Sequence, residues 1–230
     1  MREERIPGEA LVDRKRSYQR GSGEGPLIGV LALQGDVLEH LRMLDTCGVR
    51  AKPVKRAEEL SDLDGIVLPG GESTTIGCLL RRYGLLEPLR TLLSLGLPAF
   101  GTCAGAILLG RRALAADGEP CDQPLLGAMD TVVRRNAFGR QVDSFEADFE
   151  VPGLGGPPVH AVFIRAPWIE EVGPHVEVLG TVNPVDRDGK PVGDRVVLAR
   201  QGRLLASAFH PELTRDSRLH RLFVEIVNEG

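Results

Sequence analysis

Three short apolar runs, LIGVLAL (27–33), DGIVLPGG (64–71) and LPAFG (97–101), decide most of what this chain can become. Their apolar residues are continuous rather than alternating, so neither face is left for water. Such strands belong inside a parallel sheet that is covered on both sides. The segments between them supply the covers. Asp36 and Glu39 read as a capping pair for a helix running through Cys47, with Val37, Leu41 and Leu44 on one face. VRAKPVK (49–55) reads as an edge strand, because Pro53 removes a ladder donor. Thr74 or Thr75 opens a helical stretch, LLEPLRTLLSL (85–95) continues as helix, and AGAILLGRR (104–112) is helical. Strands and helices that alternate over short connections imply an α/β fold: an open, mostly parallel sheet with helices on both faces.

The second half reads differently. LLGAMDTVVRRN, QVDSFEADFEV, PVHAVFIRA, HVEVLGTV, RVVLARQ and LLASAFH are short strand candidates separated by Gly, Pro and Asn/Asp turns. They add extra strands to the sheet. A final amphipathic helix places Leu219, Leu222, Phe223, Ile226 and Val227 on one side. Residues 1–25 are rich in charge and poor in large apolar residues, so they read as a flexible N-terminal extension ahead of one domain at 26–230.

Composition narrows the function classes. Formal charge is −4, with no basic stripe, which argues against a nucleic-acid binder. No apolar stretch is long enough for a membrane helix, and the N-terminus has no secretory apolar region. The four cysteines, at 47, 78, 103 and 121, show neither CxxC nor metal-like spacing, and so suggest free thiols in a reducing cytoplasm.

One of those cysteines is set apart by its surroundings. Gly101-Thr102-Cys103-Ala104-Gly105 lies between an apolar strand and an apolar helix, the context of a nucleophile elbow. The flanking glycines suit a strained turn and close helix–strand packing. A helix N-terminus also favours thiolate. On the pattern alone, a small buried residue in a tight turn is the competing reading. A base is then needed. Of the five histidines, His40 and His220 fall mid-helix, where solvated faces are expected, and His160 and His175 fall at strand starts. His210 ends an apolar strand and is followed by Pro211 and Glu212. Pro211 biases His210 towards extended backbone, so His210 and Glu212, two apart, face one pocket. Both Cys103 and His210 fall beyond the carboxyl ends of strands, where open α/β sheets collect their sites. The third element is Pro69-Gly70-Gly71-Glu72-Ser73-Thr74-Thr75. Its glycines allow backbone N–H groups to meet a negative atom, as in an oxyanion hole, while Ser or Thr caps the helix. Phosphate-loop spacing and its lysine are absent.

Together these elements resemble the class I, or triad, glutamine amidotransferases, which have a flavodoxin-like fold. IGVLALQGDVLEH (28–40), LPGGESTT (68–75), GTCAG (101–105), RNAFGRQVDSFEAD (135–148), FIRAP (163–167) and SAFHPELT (207–214) narrow the resemblance to the glutaminase subunits of pyridoxal 5′-phosphate synthase. It spans about Leu27 to Glu229. The resemblance implies hydrolysis of glutamine to glutamate and ammonia, with Cys103 as nucleophile, His210 as acid and base, and Glu212 orienting His210. Gly71 and Ala104 would donate to the oxyanion. Gly70, Gly71, Glu72, Arg135 and the Ile164–Arg165 backbone would hold glutamine. The implied partner is a synthase subunit, which receives the ammonia and orders the oxyanion turn, the free glutaminase being poorly active until it does. Pyridoxal 5′-phosphate is the product of that complex, and no cofactor or metal is implied for this chain. The alternatives are a glutaminase serving another synthase, such as the histidine-pathway cyclase, a stand-alone cysteine hydrolase, and a catalytically silent scaffold.

Overall fold

The computed structural model describes residues 25–137, 144–184, 191 and 193–229. The expected N-terminal extension lies outside this range except for Gly25, and so does the Phe138–Asp143 part of the RNAFGRQVDSFEAD motif.

Twelve strands and five α-helices are present among the described residues. The first half runs β1 (Leu27–Leu31), α1 (Val37–Thr46), β2 (Arg50–Val54), β3 (Gly65–Leu68), α2 (Ser73–Arg82), α3 (Leu86–Ser94), β4 (Ala99–Thr102) and α4 (Ala104–Leu109). Then follow β5 (Gly110–Leu114), β6 (Met129–Arg134), β7 (Ser144–Phe149), β8 (Val159–Ile164), β9 (Trp168–Val172), β10 (Glu177–Val182), β11 (Arg195–Gln201), β12 (Leu204–Ser207) and α5 (Arg218–Asn228). The large sheet has the order β2-β1-β3-β4-β12-β11-β9-β6-β5, with β10 paired to β11. From β2 through β12 all neighbours are parallel, while β11 is antiparallel to β12, to β9 and to β10. A separate antiparallel hairpin, β7–β8, lies outside the large sheet.

The apolar runs do what a doubly covered strand requires. Successive residues of β3 enter opposite cores: Ile66 and Leu68 join Ile76, Leu80, Leu89 and Leu92 of α2 and α3, while Val67 joins Leu44 of α1 and Phe223 of α5. β12 does the same with Leu204 and Ala206 against Leu205. Burying one such Leu or Ile side chain contributes roughly 1.5–3 kcal/mol. The hairpin extends the second core through Phe149, Val159 and Phe163, with Phe145 and Phe163 stacked at 4.4 Å between centroids. Pro53 sits on β2, at the sheet edge as expected.

Several local expectations need correction. The helix after Cys103 ends at Leu109, and residues 110–114 form strand β5 instead. Gly110 turns to extended backbone at φ −61° and ψ 151°, and Arg111 and Arg112 then face outward to Glu171. The N-cap of α2 is Glu72, not a Thr: its carboxylate accepts from the Thr74 and Thr75 N–H groups at 3.1 and 2.7 Å. Helices α2 and α3 are separate, broken at Tyr83–Gly84, where Gly84 takes φ 68°. Asp36 occupies the N-cap position of α1, but its side chain makes no capping bond. Strand β9 is not among the strand candidates, because WIEEV is too short and too mixed to alternate clearly. His40 and His220 are completely buried, not solvated.

Candidate active site

Four adjacent parallel strands, β1, β3, β4 and β12, end on the same edge of the sheet. Just beyond those ends lie Gln34–Asp36, Gly70–Glu72, Cys103 and His210–Glu212. A cavity of about 450 Å³ opens there, lined among others by Cys103, His210, Asp36, Glu72 and Arg135. That volume suits a small metabolite.

The Cys103 elbow is strained as its glycines suggest. Cys103 takes φ 48° and ψ −102° and sits directly ahead of α4. A Cβ on Gly105 would lie 1.9 Å from the Leu68 carbonyl oxygen, and one on Gly101 2.5 Å from the Gly105 backbone. Close helix–strand contact therefore excludes side chains at both flanks. The other three cysteines are also free thiols, but none of them lines the cavity. Cys103, Asn136 and Arg165 are the non-glycine residues with positive φ among the described residues, at 48°, 46° and 44°, and all three line the cavity. Backbone strain of this kind costs about 1–3 kcal/mol per residue and collects at functional sites.

His210 follows β12 by three residues, and its N–H donates to the Val162 carbonyl of β8 at 2.9 Å. His210 and Glu212 are brought together, though not by extended backbone. Pro211–Leu213 forms a 3-10 turn, with Pro at its first position, where fixed φ suits a helical turn. The turn directs Glu212 inward, so that its Oε1 lies 2.7 Å from His210 Nδ1 and the carboxylate is fully buried behind the imidazole. Asp36 Oδ2 approaches the same Nδ1 at 3.3 Å. Burial by itself would lower the His210 pKa. Hydrogen bonding with Asp36, Cys103 and Glu212 outweighs it and pushes the value up to about 12. Burial raises the Glu212 pKa, with His210 opposing.

The remaining expected residues divide into two groups. Gly71, Glu72, Arg135, Ile164 and Arg165 line the cavity. Gly71 takes φ 149°, and a Cβ there would lie 2.6 Å from Gln34 Oε1. Gly70 stands behind the imidazole: a Cβ there would lie 2.4 Å from His210 Cε1. Ala104 is buried at the start of α4. Arg135 and Glu72 hold each other at 2.7 Å, and Arg135 also donates to Thr74 Oγ1 and to Gln123 Oε1. Burial works against Glu72 ionisation, but hydrogen bonds from Thr75 and Thr74 and the Arg135 charge hold its pKa below the usual value. Sequence reasoning missed Gln34, Asp36 and Gln123. Gln34 Oε1 accepts from the Glu72 N–H at 2.8 Å, and the Asp36 N–H donates to the Gly70 carbonyl at 3.4 Å. The signal for the first two was their place just after β1, on the edge where the other site segments end. Asp36, His210 and Glu212 each place one potential metal-ligand atom within 4.8 Å of the others. Here those atoms serve one another.

A thiol on a strained elbow, an imidazole beside it and a buried carboxylate behind define a cysteine hydrolase arrangement at the edge of an α/β sheet. Comparison places it more narrowly. The model of the SNO glutamine amidotransferase family matches residues 30–229, and the chain belongs to that family. It is 61% identical over 206 residues to the pyridoxal 5′-phosphate synthase subunit PdxT of Frankia alni, covering 90% of this chain and 97% of that protein. It is 59% identical over 202 residues to the PdxT subunit of Acidothermus cellulolyticus, covering 88% and 94%. A glutamine amidotransferase crystal structure superposes with TM-score 0.76 at 50% identity, covering 87% of this chain and 98% of that one. A chain of the PurLQS structure from Thermotoga maritima, at 14% identity and TM-score 0.59, covering 89% and 98%, shares the fold alone.

Proposed function

We propose that this chain hydrolyses L-glutamine to L-glutamate and ammonia for a pyridoxal 5′-phosphate synthase, with Cys103, His210 and Glu212 as its catalytic residues. The observation that carries the assignment is Cys103 on its positive-φ elbow, sharing one cavity with a His210 whose Nδ1 rests on Glu212. His210 takes the thiol proton as Cys103 Sγ attacks the side-chain amide carbon and forms a tetrahedral intermediate. The backbone N–H groups of Gly71 and Ala104 receive its oxyanion. Losing one such donor typically costs about 10²–10³ in rate. His210 delivers the proton taken from the thiol to the departing nitrogen, so ammonia leaves and a glutamyl thioester remains. His210 then takes a proton from water, whose oxygen displaces the sulfur and releases glutamate. Glu212 keeps Nδ1 paired throughout.

Glutamine is held by Gly70, Gly71 and Glu72 on one side and by Arg135 and the Ile164–Arg165 backbone on the other. The Arg135 guanidinium, held here by Glu72, Thr74 and Gln123, must turn part of its planar fork from these partners to meet a substrate carboxylate. Ammonia released into water would protonate and lose its nucleophilicity, so the partner is a separate synthase subunit that receives it directly. The identity to the PdxT subunits favours this over service to a histidine-pathway cyclase. Four free thiols fit the cytoplasm. The test is ammonia release from glutamine by wild type and Cys103→Ala, each with and without the synthase subunit. Full activity in Cys103→Ala overturns the nucleophile assignment. Equal wild-type rates with and without the synthase overturn the requirement for the partner.

A further inference from the structure

Behind the Cys103–His210–Glu212 arrangement, a second pair of histidines is sealed into the core. His40 of α1 and His220 of α5 are both completely buried, with His40 Nδ1 2.9 Å from His220 Nε2. On its other side, His40 Nε2 lies 3.0 Å from the hydroxyl of Thr102, the residue before Cys103, and 3.5 Å from Glu212 Oε2. Glu212 Oε1 is the oxygen that holds His210. Phe100 closes the far side, edge-on to His220 at 5.6 Å between centroids. Two polar rings in such a place are costly unless their hydrogens are used.

The tautomers follow from what each nitrogen faces. Burial, then the neighbouring His220 and His210, lowers the His40 pKa well below its ordinary value, and burial pushes His220 down to about 4. Both rings are therefore neutral and carry one N–H each. If His40 carried its hydrogen on Nδ1, it would donate to His220 Nε2. The hydrogen of His220 would then sit on Nδ1, which is buried with no acceptor. The bare Nε2 of His40 would also point its lone pair at a carboxylate. The reverse assignment leaves no orphan ring N–H. His220 Nε2–H donates to His40 Nδ1, and His40 Nε2–H donates to Thr102 Oγ1 at 3.0 Å with Glu212 Oε2 beside it at 3.5 Å, an oxygen that has no hydrogen-bond partner.

We propose that His40 is a positioning residue for glutamine hydrolysis, its Nε2–H edge set against the second oxygen of Glu212 at 3.5 Å while His220 fixes the His40 tautomer. The proposal rests on the triad assignment above. A carboxylate gripped at one oxygen only can rotate; a positive N–H edge packed against the second oxygen restrains the plane in which the first meets His210. The groups that face His40 come from every element packed against it: His220 from α5, Thr102 from β4, and Glu212 with His210 from the turn after β12.

The test compares ring replacement with amide replacement, in the complex with the synthase subunit. His40→Phe fills the space without a donor and is expected to lower kcat about tenfold to a hundredfold with little change in KM, the scale of a slightly misplaced catalytic group. His40→Gln places an amide nitrogen where Nε2 was and is expected to recover most of that loss. His220→Phe lowers kcat in the same way, and His220→Gln restores it. A folded His40→Phe complex with wild-type kcat overturns the proposal, as does His40→Gln performing no better than His40→Phe. A second measurement needs no variant. Nitrogen-15 histidine spectra of the wild-type protein are expected to show His40 protonated on Nε2, and protonation on Nδ1 overturns the proposal. Cys103→Ala, assayed alongside, separates the two levels. If it stays active, the triad reading fails; if it is inactive while His40→Phe is not, only the positioning role fails.

Discussion

The two sides of the large sheet contribute unequally to the site. On the β2-β1-β3-β4-β12 side, every neighbour is parallel, and four consecutive strands deliver Gln34–Asp36, Gly70–Glu72, Cys103 and His210–Glu212 to one edge. On the β11-β9-β6-β5 side, the steps from β12 to β11, β11 to β9 and β9 to β6 are antiparallel and send successive strand ends in opposite directions, with β5 alone parallel to its neighbour β6. Among the described residues, Arg135 and Asn136, following β6, and Pro167, just before β9, line the cavity from there, while Ile164 and Arg165 reach it from the separate hairpin. Parallel strands bring like ends together, so their loops converge on one locus. The antiparallel side closes the far wall.

That contrast can be broken in order of decreasing effect. Gly105→Ala strikes the parallel side where helix and strand touch, placing a methyl group 1.9 Å from the Leu68 carbonyl oxygen. The expected loss is about 3 kcal/mol or more, with a fall in thermal midpoint. An unchanged midpoint would show that this contact is not tight. Asp36→Asn removes one of the carboxylates at His210 and is expected to lower kcat about tenfold in the ammonia assay. Its pH signature has a definite sign. The folded His210 value of about 12 lies above the unfolded one of about 6.5, so the imidazolium stabilises the fold fully below pH 6.5. That contribution falls as pH rises towards 12. In Asp36→Asn the decline still begins near pH 6.5 but ends at lower pH, as urea titrations across the alkaline range will register. Arg135→Ala, on the far wall, is expected to raise KM for glutamine roughly tenfold, with kcat less affected. A kcat-only effect would place Arg135 outside substrate binding. Arg111→Ala tests the antiparallel edge, where exposed Arg111 meets Asp130 and Glu171. A change within about 0.5 kcal/mol is expected. A loss of several kcal/mol would mean that this edge also braces the site.

The same division governs what could be read in advance. Continuous apolar runs identify β1, β3 and β4, and the glycines around Cys103 identify the elbow, because backbone sterics leave a mark at fixed spacing. His210 and Glu212 were legible as a pair, but the 3-10 turn that turns Glu212 inward was not, since Pro211 suits both extended and turn backbone. Asp36 was hidden by its second identity as a helix-start residue. His40 and His220 were misjudged because a helix face is assigned by apolar spacing, and a buried imidazole pair interrupts that spacing with polar letters. Gln123 sits in a segment with no periodic signal, yet Ser73, Thr74 and Arg135 all donate to it.

The position of β12 sets an order of assembly. It follows the other eleven strands in sequence, yet it lies between β4 and β11. A chain growing from the ribosome therefore exposes Cys103 about a hundred residues before His210 exists to meet it. Until β12 slots in, β4 has an open edge and the elbow has no imidazole beside it. The reactive centre is thus armed late in synthesis, and a chain cut short after β11 would carry the thiol without the base that puts it to use.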